Sequence, residues 1–189
     1  SAMRVVVETA DFQAVGFDVP VAEFRTAREL ARDPAVASLG PDVLEGDFDE
    51  AEAVRRVRER GALGIGDALL DQRALAGIGN VFKSEVCFAE RVHPFTPVSA
   101  LDDATLLRLV RTARRFLGMN VRESSGGRMV TYTGLRRTTR GGDPSASLWV
   151  YGRVGKPCRV CGERIELERR GLQARGTYFC PRCQALSPV

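Results

Sequence analysis

The spacing of apolar residues changes period along this chain. Over residues 4–24, "RVVVETADFQAVGFDVPVAEF", short runs of Val and Phe are broken at Ala10-Asp11 and Asp18, which predicts two or three short strands. Two hairpin strands alone bury too little to be stable, so residues 1–38 read as the residual strands of an incomplete N-terminal β-sandwich. Residues 39–47, "LGPDVLEGD", are acidic and turn-rich and read as a hinge.

Past the hinge the period becomes helical. "DFDEAEAVRRVRERG" (47–61) offers Asp47 or Asp49 as a cap, acidic residues in its first turn, arginines in its last and Gly61 as a stop. A shorter helix is predicted over 67–77, then the turn "GIGN" (77–80), then a helix over 81–92 capped by Asn80 and ended by His93-Pro94. The longest helix is predicted over 99–118, where Ser99 and Asp102 make a capping-box-like start and Leu106, Val110, Ala113 and Leu117 share a face. Residues 122–147, rich in Gly, Ser, Thr and Arg, read as a flexible loop. In the last segment, 148–189, "RIELERRGLQARGTYFC" alternates around Gly171 and Gly176 and predicts a β-hairpin. The fold class is therefore mainly α with small β: a helical domain over 48–121, then a hairpin domain.

Composition adds a partner. With 189 residues, 44% of them apolar, the chain has the means to fold, and no run approaches the roughly 18 consecutive apolar residues of a membrane span. The expected setting is the cytoplasm or nucleoid. The net charge of +4 hides an asymmetry: residues 61–189 hold 20 basic and 11 acidic groups, and 18 of those 20 are arginine. Arginine suits bidentate phosphate contact, so a polyanion is the first partner to suspect, against the plainer reading of a solvated basic surface.

Four cysteines carry the clearest chemistry. Cys158, Cys161, Cys180 and Cys183 form C-x2-C-x18-C-x2-C, and each two-residue spacer lets both thiolates of a pair reach one ion from a tight knuckle. Two knuckles supply a four-sulfur Zn2+ site, which leaves no open position for water and is therefore structural. Zinc would pin the base of the hairpin, whose tip and flank carry Arg169, Arg170 and Arg175. The glycines of "GIGN" allow a tight turn, and the free N–H groups at the following helix start, beside Asn80 and with Lys83 one turn on, suit a phosphate. Cys87 reads as a small buried hydrophobe, His93 as a helix-end cap or phosphate contact, and Trp149 and Phe179 as hairpin core.

Taken together, "LLDQRALAGIGNVFKSEVCF" and "VYGRVGKPCRVCG…ARGTYFCPRCQ" resemble the formamidopyrimidine-DNA glycosylase and endonuclease VIII family of base-excision repair enzymes. "TTRGG…LWVYGR" resembles the endonuclease VIII branch. The resemblance implies a helix-two-turn-helix domain, a C-terminal zinc finger, and double-stranded damaged DNA as partner, with neither a membrane nor a small-molecule cofactor involved. It implies that Asn80 binds phosphate beside the damaged nucleotide and that Arg175 grips the flanking phosphates, while Lys83 and Arg170 add to the same surface. The family's chemistry uses an N-terminal proline, the glutamate after it and an assisting lysine, and none of these is matched in the present residues. The expectation is therefore a monomer that binds damaged DNA without cleaving it, with a dimer through the unpaired N-terminal strands as the variant. The alternative is a non-catalytic zinc-finger DNA-binding protein derived from that family.

Overall fold

The computed structural model describes residues 3–122, 129–132, 147–170 and 174–186. Contacts divide the chain into two units, with the boundary between Ser38 and Leu39.

The first unit holds an antiparallel hairpin of β1 (Met3–Glu8) and β2 (Gln13–Phe17), in register from Val5 opposite Gly16 to Glu8 opposite Gln13. Its apolar side chains stay in solvent: Val7, Phe12, Phe17 and Val21 are all exposed. Residues 18–38 add no third strand. They instead form two single-turn helices, α1 (Ala27–Leu30) and α2 (Pro34–Ala37). The local signals explain both, since Thr26 and Glu29 close a reciprocal capping box, and Asp33 caps a turn with Pro34 at its first position.

The second unit contains α3 (Glu50–Arg58), α4 (Ile65–Leu70), α5 (Asn80–Ala89), a 3-10 turn at Val98–Ala100, α6 (Asp103–Arg122), and a second antiparallel hairpin of β3 (Glu166–Arg169) and β4 (Gly176–Phe179). The fold is mainly α with small β. Helix α6 is the pillar of the core: Leu106, Leu109, Val110 and Ala113 are fully buried among Ala53 and Val57 of α3, Leu69 of α4 and Val86 of α5. Each buried Leu or Val contributes about 1.5–3 kcal/mol relative to solvent, so this cluster carries the helical body.

Helix boundaries differ from expectation in instructive ways. The long helix starts at Asp103 because the Asp102 side chain accepts from Thr105 N at 2.7 Å, while Ser99 lies in the 3-10 turn. It also runs on to Arg122. Helix α4 ends at Leu70, seven residues before the expected end at 77, because the Asp71 carboxylate accepts from Arg73 N and pairs with Arg60. Gly40 allows residues 39–43 to lie flat against the stretch that follows: a Cβ there would sit 2.5 Å from the Ala74 carbonyl oxygen. Backbone bonds from Gly40 N to Gln72 O and from Ala76 N to Pro41 O hold that contact.

Candidate nucleic-acid interface and metal centre

Helix α5 enters from a turn that the sequence marked with glycines. Gly77 has φ of +99°, the left-handed region that glycine enters without strain, and its N–H donates to Gln72 Oε1 at 3.0 Å. Gln72 Nε2 reaches the carbonyls of Leu70 and Ile78, so one amide side chain ties both limbs of the turn. The first intrahelical bond runs from Lys83 N to Gly79 O, which leaves the N–H groups of residues 80–82 ahead of the ladder.

Gly79, not Asn80, is the N-cap. Asn80 is the first helical residue, and its side chain leaves the helix altogether: Nδ2 donates to Gly176 O at 3.0 Å, across 96 residues of sequence. An amide nitrogen carries two hydrogens, so one donor remains at that point. Gly176 directly follows Arg175, which is exposed and stands at the mouth of β4 beside Ala174, itself at φ of +45°. The turn and the hairpin therefore bring Asn80 and Arg175 to one place.

Lys83 lies elsewhere than expected. It is 1% exposed, the bulkiest of the fully buried side chains, and its Nζ donates to Thr177 Oγ1 at 2.7 Å. Burial holds its ammonium below the usual lysine range, and the Arg175 charge adds to that. The sequence signal, a lysine one turn into a helix, reads as surface; only the docking of β4 over it makes it interior. Arg170 is exposed but turned back along the hairpin, paired with Glu168 at 2.5 Å and stacked over Phe95 at 5.2 Å.

A second face of α5 carries an anchor that sequence reasoning missed. Glu85 is fully buried, and its carboxylate accepts from the consecutive N–H groups of Trp149, Val150 and Tyr151, each at 2.8 Å, and from the Thr131 hydroxyl. Three successive amides around one carboxylate form an anion nest, here filled by the protein itself. Gln184 closes the far end, donating to Val92 O and accepting from Cys180 N, both at 2.9 Å. Helix α5 is thus the spine on which the hairpin domain is mounted.

Mounted there, the four cysteines converge. All four Sγ atoms lie within 4.8 Å of one another, with Cys161 to Cys180 at 3.5 Å and Cys158 to Cys183 at 3.9 Å. A tetrahedral ion bound at about 2.3 Å needs sulfurs about 3.8 Å apart, so the spacing fits a metal site. The backbone supports thiolates: Val160 N points at Cys158 Sγ and Cys183 N at Cys180 Sγ. Cys161 is lowered to about 7, chiefly by the Glu163 backbone N–H, whereas loss of solvent raises Cys180 and Cys183. A bound ion would draw the protons from the thiols. Arg153, 6% exposed, braces the first knuckle by donating to Trp149 O and Pro157 O.

The remaining candidates are core. Cys87 is fully buried and its thiol is pushed up to about 12 by desolvation. His93 neither caps the helix nor faces solvent: it packs on Phe179 at 4.7 Å, accepts from Phe95 N, and is lowered by burial. Trp149 stacks against Phe88 and Tyr132 and donates to Thr131 O. The 122–147 loop lies largely outside the described residues; Val130 is held by both ends of the Asn120 amide.

A helical pair joined by a glycine turn thus carries a four-cysteine hairpin on its second helix, a combination that defines a distinct class of module. Residues 39–131 match the family described as the formamidopyrimidine-DNA glycosylase H2TH domain, and residues 155–186 match the zinc finger found in FPG and IleRS. "Probable endonuclease 8 2" of Streptomyces coelicolor is 43% identical over 188 residues, covering 97% of this chain and 62% of that protein. "DNA-(apurinic or apyrimidinic site) lyase Nei2" of Mycolicibacterium smegmatis is 42% identical over 185 residues, covering 98% of this chain and 67% of that one. Among solved structures, MutM (FPG) from Thermus thermophilus superposes with a TM-score of 0.68 at 29% identity, over 98% of this chain and 70% of that one. Lactococcus lactis Fpg in complex with abasic-site DNA gives 0.66 at 28% identity, over 85% and 56%. The chain belongs to the formamidopyrimidine-DNA glycosylase and endonuclease VIII family, and it spans about two thirds of the length of these two curated relatives.

Proposed function

We propose that this chain is the DNA-gripping part of a base-excision-repair glycosylase and abasic-site lyase acting on oxidised bases, and that its 189 residues bind damaged duplex DNA without cutting it. The reading rests most directly on the meeting of Asn80 with the Arg175-Gly176 reversal. An exposed guanidinium and an amide donor at a helix start, fixed together by a backbone contact, suit successive phosphates of one strand. Pinching a duplex there helps to bend it and to turn a damaged nucleotide out of the stack. The relatives' names, an endonuclease 8 and an abasic-site lyase, support the same substrate. The four thiolates take Zn2+, which acts structurally by fixing the base of the arginine-bearing hairpin. The protein acts as a monomer in the nucleoid.

The test is fluorescence anisotropy with a duplex bearing a central abasic-site analogue and with an undamaged duplex, over a salt series, alongside borohydride trapping on a true abasic site. The expected result is preferential, salt-sensitive binding to the abasic duplex with no trapped adduct. A trapped adduct would mean that an amine in these residues performs the chemistry, and equal binding to both duplexes would remove damage recognition from this part of the molecule.

A further inference from the structure

The Lys83 ammonium is buried, donates to the neutral Thr177 hydroxyl, and makes no ion pair among the described residues; the nearest acidic influence is Asp67 of α4. An uncompensated buried charge is unfavourable, and proteins keep one where a ligand completes it. Three residues of one α5 face hold three consecutive residues of β4: Asn80 to Gly176, Lys83 to Thr177, and Ser84 to Tyr178 N at 3.3 Å. Thr177 Oγ1 in turn donates to the carbonyl of Arg175 at 3.3 Å. Lys83 therefore lies directly behind the strand end that presents Arg175.

We propose that Lys83 is a positioning residue whose charge is completed by the DNA phosphate held at Asn80 and Arg175, so that DNA binding is accompanied by proton uptake at Lys83. This rests on the DNA-binding reading above. It assigns Lys83 to the second layer of the site, acting through the β4 hairpin and through its field rather than by touching phosphate.

The sign follows from the surroundings. The groups facing Lys83 are Arg175 from the hairpin, which opposes its charge, and Asp67 of α4 and Cys87 of α5, which favour it, with burial dominating. The folded chain thus releases the lysine proton at lower pH than the unfolded chain does. Stability consequently rises with pH from the folded titration up to the ordinary lysine range. A bound phosphate restores the charge, so DNA affinity falls as pH rises through that same window.

The experiment compares the 189-residue chain with its Lys83→Met and Thr177→Val variants, measuring Kd for the abasic-analogue duplex from pH 7 to pH 10 and the melting temperature without DNA. Lys83→Met is expected to weaken binding about tenfold at pH 7, the equivalent of one charge-assisted contact, and to flatten the pH dependence, while the melting temperature holds or rises. Thr177→Val keeps the cation and is expected to retain the native pH slope. An unchanged pH slope in Lys83→Met overturns the proposal, as does a fall of several degrees in its melting temperature, which would make Lys83 a plain structural support. The thermal result decides the buried-charge part even if the native chain binds no duplex, in which case the DNA-binding reading itself fails.

Discussion

The helical body and the hairpin domain are held by different forces. The body closes over some twenty buried apolar side chains centred on α6. Among the described residues the hairpin domain has a smaller buried cluster of Phe88, Val150, Cys158, Ile165 and Cys180, two of which belong to the four-cysteine cluster and one of which belongs to α5. Beside its smaller apolar cluster the hairpin domain has the four-cysteine cluster and polar anchors on α5, where Glu85 holds residues 149–151 and Lys83 and Ser84 hold residues 177 and 178. The strand next to Arg175 is therefore placed on α5 by polar contacts, from Asn80 to Gly176, Lys83 to Thr177 and Ser84 to Tyr178.

The largest effect expected from breaking this contrast is metal removal. Structural zinc contributes on the order of 10 kcal/mol to folding small domains. A chelator, or Cys180→Ser, should abolish order in the hairpin domain and with it the DNA affinity, while far-UV circular dichroism retains the helices of the body. Simultaneous loss of helical signal and metal would show that the two regions fold as one.

Glu85 comes next. Replacing it with Ala removes the acceptor of three consecutive amides, with Val150 buried and Trp149 and Tyr151 half-buried, and should destabilise by about 3–5 kcal/mol, in the range for breaking a buried charged network. Calorimetry should show the loss, and the metal should bleed to a chelator faster in the variant. Glu85→Gln keeps one acceptor oxygen and should lose less. If Glu85→Ala melts like the native chain, the nest is not an anchor.

Legibility in the sequence follows the range of the forces. The Cys pairs could be read because each two-residue spacer is a local geometry, and α6 because its apolar stripe repeats along one helix. The capping box of Thr26 and Glu29 is equally local, yet it lies past the strands expected over 4–24, in the part of the 1–38 sandwich remnant to which no element of its own is assigned. What could not be read depends on distant partners: Glu85 meets amides 64 to 66 residues away, and Lys83 meets Thr177 across 94. On a helix each looks like an ordinary surface charge. One signal was available for Glu85, since "KSEVCF" sets it one residue from apolar neighbours in a segment with little polar face.

On the proposed reading, α5 and the four-cysteine hairpin act as one phosphate grip. A double-mutant cycle tests it most directly, with Asn80→Ala, Arg175→Ala and the pair measured for affinity to the abasic-analogue duplex and for melting temperature. Each single change is expected to weaken binding about tenfold with little thermal effect, and the pair to lose clearly less than the product of the two, because breaking either side releases the same phosphate contact. Strictly additive losses would contradict it, showing that Asn80 and Arg175 bind DNA as independent sites.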